Sequence, residues 1–275
     1  MIENLQAHYG FSIMPFGSAI PAPALFGSAA HKEAVARLRW LISARGLGVI
    51  TGEVGAGKTV ALRAAASGLD PSRHTLIYLP NPQIGVRGLH GAVATALGQA
   101  PRFHHATLIP QVEAALAAEA EEKNRHVLVA IDEAHLLSHD QLEAIRMLTN
   151  SGIDYRSPAT IVLIGQPTLR RRLRVGDMAA LDQRIQLRYH YPAPALTAAE
   201  AAGYLRAHLA LAGRTDTLFS DDAVRAIHGH ARGLPRAINR LSAGALLAAY
   251  STGKTIVDES SARTAISEEA AAATD

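Results

Sequence analysis

Short runs of almost unbroken apolar residues recur along the chain, separated by stretches in which apolar positions return every three or four residues. Residues 48–51, 75–79, 127–131 and 160–164 form the continuous runs, and residues 186–191 a weaker fifth. Such runs suit strands covered on both faces of a parallel sheet. The intervening periodicity predicts helices over 31–44, 58–68, 86–97, 107–123 and 138–150. The last opens on Ser138 with Gln141 three residues on, a capping box. Strand and helix alternate, which predicts an α/β domain: a three-layer parallel-sheet core with right-handed crossovers.

After Pro192-Ala193-Pro194 the strand pattern stops. Thr197 and Glu200 form a second capping box opening a helix to about Gly213, Ser220-Asp221-Asp222 opens another, and Pro235 occupies a favoured first helical position. The expected organisation is an N-terminal arm over 1–27, extended because of Pro15, Pro21 and Pro23, and an α/β core over 28–194. A helical domain over 195–270 and a frayed tail over 271–275 follow.

Composition narrows the chemistry. The 275 residues are 48% hydrophobic and 19% charged, enough apolar material for a true core. With no cysteine, disulfides, thiolate nucleophiles and cysteine-held zinc or iron–sulfur sites are excluded. The first residues lack a secretory leader pattern, and the longest apolar run, Ala243 to Tyr250, falls short of the ~18 residues of a membrane span. The expectation is a cytoplasmic protein without membrane contact. Net charge is only +3. Between Arg156 and Pro192, however, seven arginines (Arg156, Arg170, Arg171, Arg172, Arg174, Arg184 and Arg188) face two acids, Asp177 and Asp182. Clustered arginine holds phosphates or lines a solvated helix face.

Gly52-Glu53-Val54-Gly55-Ala56-Gly57-Lys58-Thr59 fits the pattern G-x-x-x-x-G-K-[ST] between a strand and a helix. Glycines there let backbone amides close on a polyphosphate, and the helix N-terminus adds its dipole. Lys58 would reach the β- and γ-phosphates and the Thr59 hydroxyl would bind Mg²⁺. The strand 127–131 ends in Asp132-Glu133, Asp132 placed for Mg²⁺ and Glu133 for orienting the attacking water. Gln166, directly after the fourth strand, Arg184, before the fifth, and Arg236, opening a helix, stand where a γ-phosphate sensor and charge neutralisers belong. Ser251-Thr252-Gly253-Lys254-Thr255 lacks the first glycine of a second phosphate loop and reads as a turn.

Together these motifs resemble an AAA+ ATPase with its C-terminal helical lid: Walker A, Walker B with its glutamate, sensor 1, the box VII arginine and the sensor 2 arginine. Tyr9-Gly10-Phe11 with Pro15-Phe16, Asp132-Glu133-Ala134-His135, Leu142 to Asn150 and Gly165-Gln166-Pro167 narrow it. The chain resembles the ExeA (general secretion A) family and transposition helper ATPases of the TnsC, TniB and MuB kind. The resemblance implies ATP and Mg²⁺ as cofactors, Gln166 as sensor 1 (more often Asn or Thr in AAA+ proteins) and Arg236 as a sensor acting in cis. It makes Arg184 a finger on the neighbouring subunit's nucleotide, with Arg188 a second candidate. Phe16 is placed either near the adenine or in a core.

Two functions follow from the resemblance. One is a slow ATPase that forms a homo-oligomer, ring or filament, on duplex DNA and recruits or activates a transposase. The other is the ATPase of a secretion-assembly system or another AAA+ nucleotide-switched scaffold. Secretion versions carry a membrane span and a peptidoglycan-binding domain, patterns not found in these residues, so the transposition reading is the expectation. Arg87, Arg102, His104 and His105 lie in the region that faces the central channel in related helpers and are DNA-contact candidates; the alternative is helix capping or plain exposure.

Overall fold

The computed structural model describes residues 2–17, 20–149, 157–192 and 195–272. Arg156 of the basic cluster, Ala193, Pro194 and the end of the tail lie outside them.

Five parallel strands form one sheet: β1 (Leu47–Thr51), β2 (His74–Leu79), β3 (His126–Ile131), β4 (Ala159–Gly165) and β5 (Ile185–His190). Their spatial order is β2-β3-β4-β1-β5. Strands β1, β3 and β4 are buried at every position, as their unbroken apolar runs require. The edge strand β5 alternates buried and exposed residues, which is why its sequence signal was weaker. The helices between them are α2 (Ala29–Ala44), which precedes β1, then α3 (Lys58–Ala66), α4 (Gly85–Ala96), α5 (His105–Glu121), α6 (His139–Leu148), α7 (Pro167–Leu173) and the single turn α8 (Ala179–Asp182). Leu89, Val93, Leu108, Val112, Val129, Ile145 and Leu163 belong to the core this sheet shares with its helices.

The helical part comprises α1 (Ile2–Tyr9), which opens the chain, with α9 (Ala198–Leu211), α10 (Asp221–Ala231), α11 (Pro235–Ser251) and α12 (Glu259–Ala272). The chain divides into two compact units, one of Lys32–Val54 with Lys58–Tyr191, the other of Met1–His31, Gly55–Gly57 and Pro192–Asp275.

The start of the chain differs from the extended arm expected of it. Leu5, Tyr9, Phe11 and Phe16 are buried in the core of the helical unit with Leu205, Leu209, Ile227 and Leu246. The prolines signalled breaks, while the burial follows from the apolar positions between them. Phe16 stacks on His208 and meets Phe219 edge-on, which makes it a core residue. Thr252 caps α11, and Gly253 (φ 69°) and Lys254 complete the turn there. Among the described residues no helix is long and apolar enough to cross a membrane.

Candidate nucleotide site

The glycine-rich loop links the end of β1 to the start of α3. Gly55 (φ 80°) and Gly57 (φ 99°) adopt left-handed backbone, where a side chain would be strained. Gly52 is needed for a different reason: a Cβ there would lie 2.7 Å from that of Tyr191. Lys58 folds back over the loop, its Nζ donating to the carbonyls of Gly52 and Glu53 at 2.8 Å each. Val54 is exposed and Ala56 buried.

The acids follow β3 directly. The Asp132 N–H donates to the Leu79 carbonyl at 2.9 Å, extending the β2–β3 ladder by one residue and fixing the backbone under the side chain. Asp132 is buried, and each carboxylate oxygen has partners. Its Oδ2 accepts from Thr59 Oγ1 at 2.7 Å and from the Tyr78 hydroxyl at 2.8 Å, and its Oδ1 from the Glu133 N–H at 2.9 Å. Burial, and then the bond to Asp132, push the Tyr78 phenol well above its ordinary pKa.

Glu133 then turns left-handed (φ 49°, ψ 33°). For a residue with a side chain this costs about 1 kcal/mol or more, strain of the kind that gathers at functional sites. The turn leaves the Glu133 carboxylate 52% exposed, with His135 Nδ1 3.3 Å from its Oε2. Arg172 of α7 clamps the same turn, donating to the carbonyls of His135 and Leu137 at 2.6 Å each. One arginine of the basic cluster is thus committed internally, while Arg170, Arg171 and Arg174 are exposed.

Strand register gathers these groups. Thr51 pairs with Gly165 and Ile131 with Leu163, so Gln166 follows β4 at the same sheet edge as the loop and Asp132. A Cβ on Gly165 would come within 3.1 Å of the His135 nitrogen, so the end of β4 lies close under the acidic turn. Lys58, Thr59, Asp132, Glu133 and Gln166 therefore share the C-terminal edge of the sheet, where open α/β sheets bind ligands.

Arg184 is not brought there. Ile185 pairs with Leu47, which places Arg184 at the opposite end of the strands from its own chain's loop. Its guanidinium donates to the carbonyl and hydroxyl of Thr149, the cap of α6. Arg188 pairs with Asp182 at 3.0 Å. In the helical unit, Arg236 opens α11, its N–H 3.4 Å from the Gly55 carbonyl. A Cβ on Gly55 would lie 2.7 Å from that of Arg236, a second reason for glycine there.

The DNA-contact candidates surround the start of α5. Arg87 Nε donates to the Phe103 carbonyl at 3.0 Å, and its guanidinium lies 5.5 Å from the Phe103 ring, which is 79% exposed. His104 is the N-cap of α5, its carbonyl accepting from Thr107 and Leu108. Arg102 is exposed, and its N–H bonds Gln111. Sequence reading passed over Tyr78 and Phe103, and took Arg172 only as one of the clustered arginines that hold phosphates or face solvent. Of the two passed over, only Tyr78 left a signal, the alternation of β2 that puts it opposite to Ile77 and Leu79.

An AAA domain model matches residues 41–173. The chain is 34% identical over 249 residues to general secretion pathway protein A of Aeromonas hydrophila, covering 89% of this chain and 45% of that protein. It thus spans less than half the length of that relative. Among solved structures, it is similar to the ORC2 protein of Aeropyrum pernix in ADPNP–ADP complexes (TM-score 0.67, 18% identity, 92% of this chain and 70% of that one). It is similar also to the Aeropyrum pernix ORC1 protein in complex with DNA (TM-score 0.66, 15% identity, 90% and 68%). RuvB of Thermotoga maritima is a further likeness (TM-score 0.59, 17% identity, 88% and 69%). At such identities these structures speak for the fold alone. Phosphate loop, parallel sheet and sequence identity converge: the chain is an AAA+ ATPase-family protein that resembles general secretion pathway protein A.

Proposed function

We propose that this chain is a Mg²⁺-dependent ATPase used as a switch, which assembles with copies of itself on duplex DNA and there recruits or activates a transposase. The observation that carries the ATPase reading is the Thr59–Asp132–Glu133 arrangement beside the glycine loop. Among the described residues no cluster of three or more His, Asp or Glu could hold a metal unaided. A Mg²⁺ held here would take the Thr59 hydroxyl directly and Asp132 through water, a hard-oxygen set that suits it, with phosphate oxygens completing the shell. Bound, it would supply charge neutralisation across the β- and γ-phosphates. Lys58 meets the same charge from the loop, and Gln166 stands at the edge where a γ-phosphate would be sensed. Glu133, exposed and held on its strained turn, accepts a hydrogen bond from the attacking water and orients it.

The residues fit nucleotide, and the ADPNP–ADP complexes of the ORC2 protein support that ligand. Duplex DNA is supported by the exposed Arg87–Phe103 pair with Arg102 and His104 nearby, and by the ORC1 protein's structure with DNA. A second reading, the ATPase of a secretion-assembly system, is favoured by the 34% identity to general secretion pathway protein A. Fluorescence anisotropy of a labelled duplex, with and without a non-hydrolysable ATP analogue, separates the two. Nucleotide-dependent binding that weakens steeply with salt and differs little between sequences supports the DNA reading. No binding at low salt with nucleotide present returns the protein to the secretion-type reading.

A further inference from the structure

We propose that Tyr78 is a positioning residue for the metal site, its hydroxyl setting the orientation of Asp132 and through it the affinity for Mg²⁺. The inference rests on the ATPase reading above. It starts from strand register. Tyr78 of β2 pairs with Ala130 of β3, so Tyr78, Ala130 and Asp132 share one face and Tyr78 lies diagonally across from Asp132. A long side chain spans such a diagonal. Tyr78 does so, and its hydroxyl reaches Oδ2 at 2.8 Å.

The three donors on Asp132 have different tasks. The Glu133 N–H holds Oδ1. Thr59 has one hydroxyl proton, given to Oδ2, and keeps lone pairs with which it can ligate a cation at the same time. Tyr78 has no such second use, and the edge strand β2 leaves it 41% exposed. Its hydroxyl fills the remaining acceptor direction of Oδ2 and so blocks rotation of the carboxylate. Asp132 is thereby held against Thr59, the two side chains that would hold Mg²⁺. Partners of this outer kind typically change metal affinity about 10- to 100-fold when removed.

The test uses Tyr78→Phe, which keeps the ring and removes the hydroxyl, and Tyr78→Leu, which removes both. Binding of a fluorescent ATP analogue is titrated against Mg²⁺, and repeated in EDTA. Both variants are expected to need about tenfold more Mg²⁺ for half-maximal metal-dependent binding. Their metal-free nucleotide affinity should stay within about twofold of wild type, and their melting temperatures should be close to it. A Phe variant matching wild type while Leu alone is impaired assigns Tyr78 to packing and overturns the proposal. So does a fall in metal-free affinity or melting temperature that matches the loss of Mg²⁺ dependence. If wild type binds nucleotide with Mg²⁺ and Tyr78→Phe is indistinguishable from it, only the role of Tyr78 falls. If wild type itself shows no Mg²⁺-dependent binding, the ATPase reading falls and this inference with it.

Discussion

The roles proposed for Glu133 and Lys58 rest on different physics, and substitution separates them. Glu133→Gln keeps the size of the side chain and the phosphate cradle but removes the charge that orients water. It should bind ATP nearly as wild type does while turnover falls on the order of 100-fold or more, the scale of a lost general base. Lys58→Ala should lose ATP binding itself. Filter binding and phosphate release measure both, and a Glu133→Gln variant hydrolysing at the wild-type rate would refute the assigned role. His126 supplies a stability prediction of another kind. Buried at the start of β3 with its Nε2 2.7 Å from Thr160 Oγ1, it is held at a pKa of about 4, by burial first and then by Arg45 and His74. The unfolded chain takes up a proton near pH 6.5 that the folded one refuses, so this contribution is complete above that pH and is lost as pH falls toward 4. His126→Gln, which stays neutral, should lose on the order of 2 kcal/mol less than wild type between pH 7 and pH 4.5 in urea unfolding. The residues of the phosphate loop and the acidic pair were legible because each motif is contiguous. Tyr78 and Arg172 act across strands or from another helix, and their roles depend on a register that no local pattern contains.

Element boundaries show where local chemistry is decisive. Both capping boxes form as read: Ser138 accepts from the Gln141 N–H and Thr197 from the Glu200 N–H, and each longer side chain reaches back to the cap nitrogen. Replacing such a cap costs about 1 kcal/mol. Ser138→Ala should therefore lower the melting temperature by roughly 2–4 °C in calorimetry, a shift appropriate to a chain of this size. It should leave ATP affinity in place; an unchanged melting temperature would mean that packing of Leu142 and Ile145 alone sets that end of α6. The β5 edge was faint because only alternate residues are buried, and α1 was missed because the proline count of its neighbourhood outweighed four apolar positions. In both, tertiary partners supply what the local pattern lacks. Glu200 illustrates the point, since its Oε1 also accepts from the Ala29 N–H, 171 residues away in sequence.

At the scale of the molecule, Arg184 poses the question of assembly. It stands at the opposite end of the strands from its own chain's phosphate loop, and β1 alone separates the two ends by five residues, roughly 16 Å of extended chain. An arginine so placed is far from its own chain's loop, and the role proposed for it is that of a finger supplied in trans to the nucleotide of a second copy. Hydrolysis should then rise with protein concentration, because each complete site needs a neighbour. Arg184→Ala and Glu133→Gln should each be inactive alone, for they break different halves of a shared site. Mixed in equal amounts, the two should recover a fraction of wild-type turnover wherever an Arg184 from the Glu133→Gln copy meets a Glu133 from the Arg184→Ala copy. Arg188→Ala, assayed unmixed, identifies which arginine serves: Arg188 is already paired with Asp182, so that variant should keep wild-type turnover where Arg184→Ala loses it. Specific activity independent of concentration, together with no recovery on mixing, would place the finger elsewhere and leave Arg184 as a tie between β5 and the Thr149 cap of α6.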